Sequence, residues 1–165
     1  MRRFILILLV LLLALPATAW AVHSLPGDGT LVVDNGRGQV TIRARGGIIG
    51  RFDSGRLVVE DVDENDGRVP TVYGAERIRD LGQHRMLYVG EDVRFRMIGG
   101  LYRVTILAVG MDVSAVGRGT VVLDATGFTD LPGRFAINGG SFQPLPGRPT
   151  TYQLGQPPAS GTIGK

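Results

Sequence analysis

Six polar residues crowd one short stretch: Glu60, Asp61, Asp63, Glu64, Asn65 and Asp66, closed by Gly67. Hard cations such as Ca²⁺ need several oxygen ligands on a flexible loop. Asp61-x-Asp63-x-Asn65 begins like an EF-hand loop and then departs from it. Asp66 stands where that loop needs glycine, Gly67 comes one residue late, and Val72 holds the twelfth position in place of glutamate. The stretch therefore predicts a solvated acidic turn. Asp61, Asp63, Asn65 and Asp66 are the only candidate metal ligands it offers, and Ca²⁺ the only candidate cofactor.

Other chemistry is thinner. The chain has no Cys and two His, which excludes disulfide staples, thiolate metal sites and Cys nucleophiles. His23 lies near the N-terminus, so His84 is the one imidazole placed to act as a base. No Gly-x-Ser-x-Gly elbow surrounds Ser54, Ser114 or any other serine. Gly-x-Gly occurs at Gly27/Gly29, Gly36/Gly38 and Gly117/Gly119, each between β-type runs with no helix to follow. A phosphate cradle needs that helix N-terminus, so these glycines predict turns or bulges. Among the aromatics, Phe95 and Phe135 fall on the core side of their runs. Tyr73 and Tyr88 flank a polar stretch and are the expected surface pair for stacking on a sugar.

The elements that must position these residues are strands. Val40, Ile42 and Ala44 alternate with polar residues, as do Val93, Phe95 and Met97, and period-2 patterning sends one set to a core. Gly29, Gly38, Gly47 and Gly55 are spaced like turn signals between short strands. Ala75 to Leu81 is the only stretch with any helical leaning. A shift of 64 residues aligns Val40-Thr41-Ile42 with Val104-Thr105-Ile106, and gives seven identities over positions 40–61. The expected fold is thus all-β: an internally duplicated β-sandwich or barrel-like domain, with a β-solenoid as the alternative. The halves are expected at 27–65 and 90–140, with 66–89 as a connecting stretch. Five prolines beyond residue 143 predict a tail over 144–165 that runs extended or disordered.

Arg2 and Arg3, then an unbroken apolar run from Phe4 to Leu15, then Ala17-Thr18-Ala19 and Ala19-Trp20-Ala21 form the parts of a secretory signal peptide over residues 1–21. Twelve apolar residues are short of the roughly 20 that a spanning helix needs. Cleavage would lower Lys+Arg from 18 to 16 against 15 Asp+Glu, a net of +1. Nucleic-acid binding wants clustered cations, and here the arginines are spread, so no nucleic-acid partner is expected. Membrane contact is expected only through an uncleaved N-terminal segment.

Gly99-Gly100-Leu101-Tyr102-Arg103-Val104, the run from Met111 to Val121, and Gly139-Gly140-Ser141-Phe142-Gln143-Pro144-Leu145 with Pro149-Thr150-Thr151 resemble segments of uncharacterised exported bacterial proteins. The resemblance covers most of the chain beyond residue 21 and implies an exported, β-rich protein, with no site and no substrate. The sequence therefore predicts an exported, non-enzymatic binding or structural domain of the envelope or the exterior. A calcium-assisted carbohydrate-binding module is the first alternative, and a hydrolase using His84 the second.

Overall fold

A computed structural model of the protein describes residues 25–155, Thr129 excepted. The predicted signal peptide, His23 and the last ten residues lie outside the described span. The elements are β1 (Gly29–Asp61), a single 3-10 turn (Glu64–Asp66), β2 (Thr71–Tyr73), β3 (Arg77–Gly82), β4 (Arg85–Asp124), β5 (Arg134–Ile137), β6 (Gln143–Pro144) and β7 (Thr150–Leu154). The all-β class is as expected, and the stretch Ala75 to Leu81 contributes strand β3 in place of a helical turn.

The architecture is one antiparallel sheet ordered β2-β4-β1-β5-β6, with β3 and β7 also paired to β4. It is not closed, so no barrel forms. Every ladder is antiparallel, whereas a solenoid stacks parallel rungs, so that alternative falls too. The expectation of short strands separated at glycines also fails. β1 runs 33 residues and β4 runs 40, well beyond the usual strand length of about 5–6.

Strands this long must bend, and the register shows that they do. Thr41 has Thr105 on one side and Val122 on the other, both from β4. One arm of the sheet carries the row Leu87-Val58-Thr105-Thr41-Val122-Thr151. The other arm carries the row Thr71-Arg96-Ile49-Ser114-Val32-Ala136. Alternate residues of both arms face inward and make a single core, including Val40, Ile42, Leu57, Val104 and Ile106 from the first and Leu31, Ile48, Phe95, Met97 and Val113 from the second.

β1 passes from one arm to the other at Gly46, which pairs with Gly117. On its other flank the register slips between Arg45↔Leu101 and Gly47↔Ile98, leaving Gly99 and Gly100 as an unpaired bulge. Gly46 has φ +151° and Gly117 φ +149°, and a Cβ on either would stand 2.0 Å from the Val116 carbonyl oxygen or 2.1 Å from that of Arg45. Glycine lets the ladder turn a corner there without losing its pairing.

The proline-rich span does not form a loose tail as far as it is described. β7 extends the first arm alongside Gly119–Leu123, and Leu145 and Leu154 are core residues. Composition had suggested an extended tail because proline cannot donate to a ladder. The prolines here fall largely between the strands, and Thr150–Leu154 is free to pair. The stretch 66–89 likewise supplies β2, β3 and the start of β4, so it is part of the sheet and not a connection beside it.

Gly46→Ala should lower unfolding free energy by more than about 2 kcal/mol, because the backbone carbonyl that it meets cannot move aside. Gly67→Ala, at φ +69° with nothing within 4 Å, should cost only about 1 kcal/mol of left-handed strain. Urea unfolding of the two variants checks the difference, and equal losses would contradict the corner.

Candidate ligand-binding groove

The second arm turns an unusual face to solvent. Phe95, Val113 and Phe52 point inward from their strands, so Arg94, Arg96, Asp112, Ser114, Ile49 and Arg51 point outward. Two adjacent rows result. The first reads Tyr73-Arg94-Arg51-Asp112 across β2, β4, β1 and β4. The second holds Ile49, Ser114 and Val32 between Arg96 and Ala136. Ile49 and Val32 are each 38% exposed, Tyr73 66% and Phe142 49%. Together with Asp34, Gly50 and the neighbouring Val33, Phe95 and Val113, they line a groove of about 900 Å³.

Gly50 faces inward beneath the groove, because it alternates with Ile49 and Arg51. A Cβ there would lie 2.5 Å from Cζ of Phe95, so the ring of Phe95 fills the core space that a side chain would take. Phe142 borders the groove, with the Arg134 guanidinium 4.9 Å from its ring centroid, a cation-π distance.

Charge on this face is paired unevenly. Arg51 grips Asp112 with Nε at 2.9 Å and a terminal nitrogen at 2.7 Å from the same oxygen. The Asn35 backbone N–H donates to the other oxygen of Asp112 at 3.0 Å. That N–H first, and Arg51 second, hold the Asp112 carboxyl below the usual carboxylate range. Arg134 closes on Asp34 at 2.6 Å. Among the described residues, no acidic side chain pairs with Arg94 or Arg96.

A second hollow of about 950 Å³ adjoins the first and shares Ile49 and Arg96 with it. Asp66 and Arg68 line it, as do Arg45 and Arg118. Arg118 is bound to Asp28 at 3.3 Å and also donates to the Pro26 carbonyl.

The acidic turn predicted as a metal loop uses its carboxylates separately. The Asp61 carboxylate accepts from the Asp63 N–H at 3.2 Å, Asp63 pairs with Arg45 at 3.2 Å, and Asp66 accepts from the Arg68 N–H at 2.9 Å. Asn65 is exposed. Among the described residues, no three His, Asp or Glu side chains are grouped to hold a metal. One oxygen of Asp66 is buried without a hydrogen-bond partner, beside the ring of Tyr102, whose hydroxyl donates to the Arg68 carbonyl at 3.2 Å. Burial, with Asp61 and Asp66 adding to it, holds the Tyr102 phenol above its ordinary value. His84 sits in the turn between β3 and β4 with φ +57°. Ser54 lies beside Gly55 near a bend of β1, and Ser114 in the groove floor.

Of the aromatic pair expected at the surface, Tyr73 is there. Tyr88 is half-buried and packs on the core, and burial raises its phenol as well. Sequence reasoning missed Ile49, Val32, Arg94 and Arg96 as a set. Arg94 and Arg96 read as the solvent side of an ordinary alternation, and nothing local marks which outward face would carry apolar residues. The runs Leu31-Val32-Val33 and Ile48-Ile49 carry the signal, since adjacent apolar residues on a strand cannot all face the core.

Compared with known proteins, the chain matches no family model, no curated protein and no solved structure.

Asp112 has a lowered folded pKa, so its contribution is present above the unfolded value near 3.9 and fades as pH falls through the folded value. Asp112→Asn should therefore flatten the acid limb of stability between pH 5 and pH 2, by no more than about 1 kcal/mol for a group this accessible. Urea midpoints across that range measure it. At the other end, Tyr88 and Tyr102 should ionise above pH ~10, and the stability held by their neutral forms should be lost as pH rises through their folded values. Tyr102→Phe should remove about 1 kcal/mol with its Arg68 bond, as read by denaturant unfolding at neutral pH.

Proposed function

We propose that the protein is an exported, non-enzymatic binding domain of the cell envelope or the exterior, and that the groove on the second arm is its binding face. The observation that carries this reading is the apolar strip Val32-Ser114-Ile49 on an outward sheet surface, bordered by the exposed rings of Tyr73 and Phe142. Outward positions on a one-core sheet are normally polar. Apolar side chains lining a concave outer surface fit a face kept for contact.

Export is supported by the N-terminal order of charge, apolar run and Ala-x-Ala, in keeping with the resemblance to exported bacterial proteins. The chain carries no Cys, so no lipid tether of the thioether type is available to the exported form.

The domain is further proposed to be a duplicated sandwich, with repeat units nearer 27–90 and 91–154 than the sequence suggested. The register supports this. Leu57↔Tyr88, Val58↔Leu87 and Val59↔Met86 become Val121↔Tyr152, Val122↔Thr151 and Leu123↔Thr150 when 64 is added to each number. Val58↔Thr105 becomes Thr41↔Val122 under the same exchange, and Thr41 lies opposite its own counterpart, Thr105. Tyr88 and Tyr152 match as well, both packed against the core.

Two measurements test the reading. N-terminal sequencing of the accumulated protein should begin after Ala19 or Ala21, and a start at Met1 would remove the export claim. Nile red, a neutral apolar dye, should bind the protein and lose at least tenfold in affinity with Ile49→Asp while the melting temperature holds. Unchanged dye binding in that variant would reject the groove.

A further inference from the structure

From the charge pattern of the groove, and resting on the binding reading above, we infer that its ligand is a single-chain anionic amphiphile. The acyl chain lies along Ile49, Val32 and Phe142, and the carboxylate or phosphate head sits between Arg94 and Arg96. Arg94 and Arg96 are two residues apart on one strand, so both side chains rise from the same face, about 7 Å apart along it. Arg96 is in register with Ile49, and Arg94 with Arg51. Asp112 already neutralises Arg51, and Asp34 neutralises Arg134. Asp53 also lies 4.0 Å from Arg51 and Asp92 acts on the same guanidinium, so the groove guanidinium groups without a carboxylate partner are those of Arg94 and Arg96, at the β2 end next to Tyr73.

The geometry selects among ligands. A sugar asks for many hydrogen-bonding side chains, and the strip between Arg96 and Ala136 offers only the Ser114 hydroxyl. An anionic bilayer would need a broad cationic surface, and on this face the other arginines, Arg51 and Arg134, are already paired with Asp112 and Asp34. A nucleic acid would need a line of free cations in place of one pair. An acyl chain with one charged end matches both features, with methylenes over Ile49 and Val32 and the head in reach of two guanidinium groups, each able to bind it with two donors. The groove crosses four strand-to-strand steps from Tyr73 on β2 to Val32 on β1, roughly 19 Å at about 4.8 Å each, which accommodates a twelve-carbon chain lying across the strands.

The test displaces Nile red from the protein, purified from the compartment where it accumulates, with dodecanoate, dodecyl phosphate and dodecanol below their micelle concentrations. Both anions should displace the dye in the micromolar range. Arg94→Gln combined with Arg96→Gln should raise the midpoint for both anions at least tenfold and that for dodecanol less than twofold. The Arg94→Lys/Arg96→Lys protein should lie between the two, and separate single Gln variants give the same reading if the double variant does not fold. Equal midpoints for the anions with and without the arginines would overturn the inference. So would displacement by dodecanol alone, an outcome that leaves the groove standing as an apolar site. Two other results also overturn it. One is arginine-dependent co-sedimentation with phosphatidylglycerol vesicles without displacement by dodecanoate, which reassigns the face to a membrane surface. The other is an Ile49-dependent dimer in equilibrium sedimentation without displacement, which reassigns it to a second copy of the chain. Dye binding insensitive to Ile49→Asp would instead sink the groove itself.

Discussion

The seam where Gly46 meets Gly117 is the constraint on which the rest of the sheet depends. β1 and β4 are too long to pack as flat strands, because a flat sheet would leave one apolar face in water. The sheet buries that face against itself only if the ladder can turn while its backbone groups remain paired. The seam allows this because neither residue carries a Cβ: each backbone lies where the other's side chain would stand. Gly29 pairs with the same Gly117, and Gly99 and Gly100 form the bulge on the far side of Gly46. Four strand passages therefore cross one line of glycines.

That corner also decides which residues face out. Inward and outward positions alternate along a strand, so a one-residue slip exchanges the faces. β1 keeps Val40, Ile42 and Ala44 inward before the corner and Ile48 and Phe52 inward after it. Ile49, apolar like its neighbour, is left outside. The groove is thus a by-product of the same register that builds the core.

The inward positions were legible in the sequence because they follow a local rule. Val40, Ile42, Val93, Phe95, Met97 and Phe135 alternate with polar residues, and all of them are core. The glycine spacing was read as chain reversal, since turns and corners ask for the same residue and only the partner strand tells them apart. The prolines after residue 143 concealed β7 for a similar reason: Thr150–Leu154 is a good strand flanked by breakers. The groove lay beyond sequence reasoning because its members come from positions 32, 49, 73, 94, 96 and 114, joined only by cross-strand register, with Phe142 brought in from the loop before β6. The acidic turn drew notice by local density, yet its charges are spent on nearby N–H groups and on Arg45.

Net charge was a poor guide to this face for a related reason. A chain near neutrality can still present a positive site when its ion pairs are unevenly placed. Arg45, Arg51, Arg103, Arg118 and Arg134 each have a carboxylate within 3.3 Å, and beyond a Debye length of about 8 Å at physiological salt such pairs contribute little field. Arg94 and Arg96 have no such partner among the described residues, so the potential near the β2 end of the groove is set by them and not by the total. Two exposed guanidinium groups give little long-range steering in salt. Their influence is confined to contact, where they fix which end of a bound molecule lies beside Tyr73. Affinity on this face must then scale with the apolar length laid over Ile49 and Val32, at roughly 0.8 kcal/mol for each methylene removed from water. Charge sets the direction of the ligand, and the strip beyond it sets how long a chain can be held.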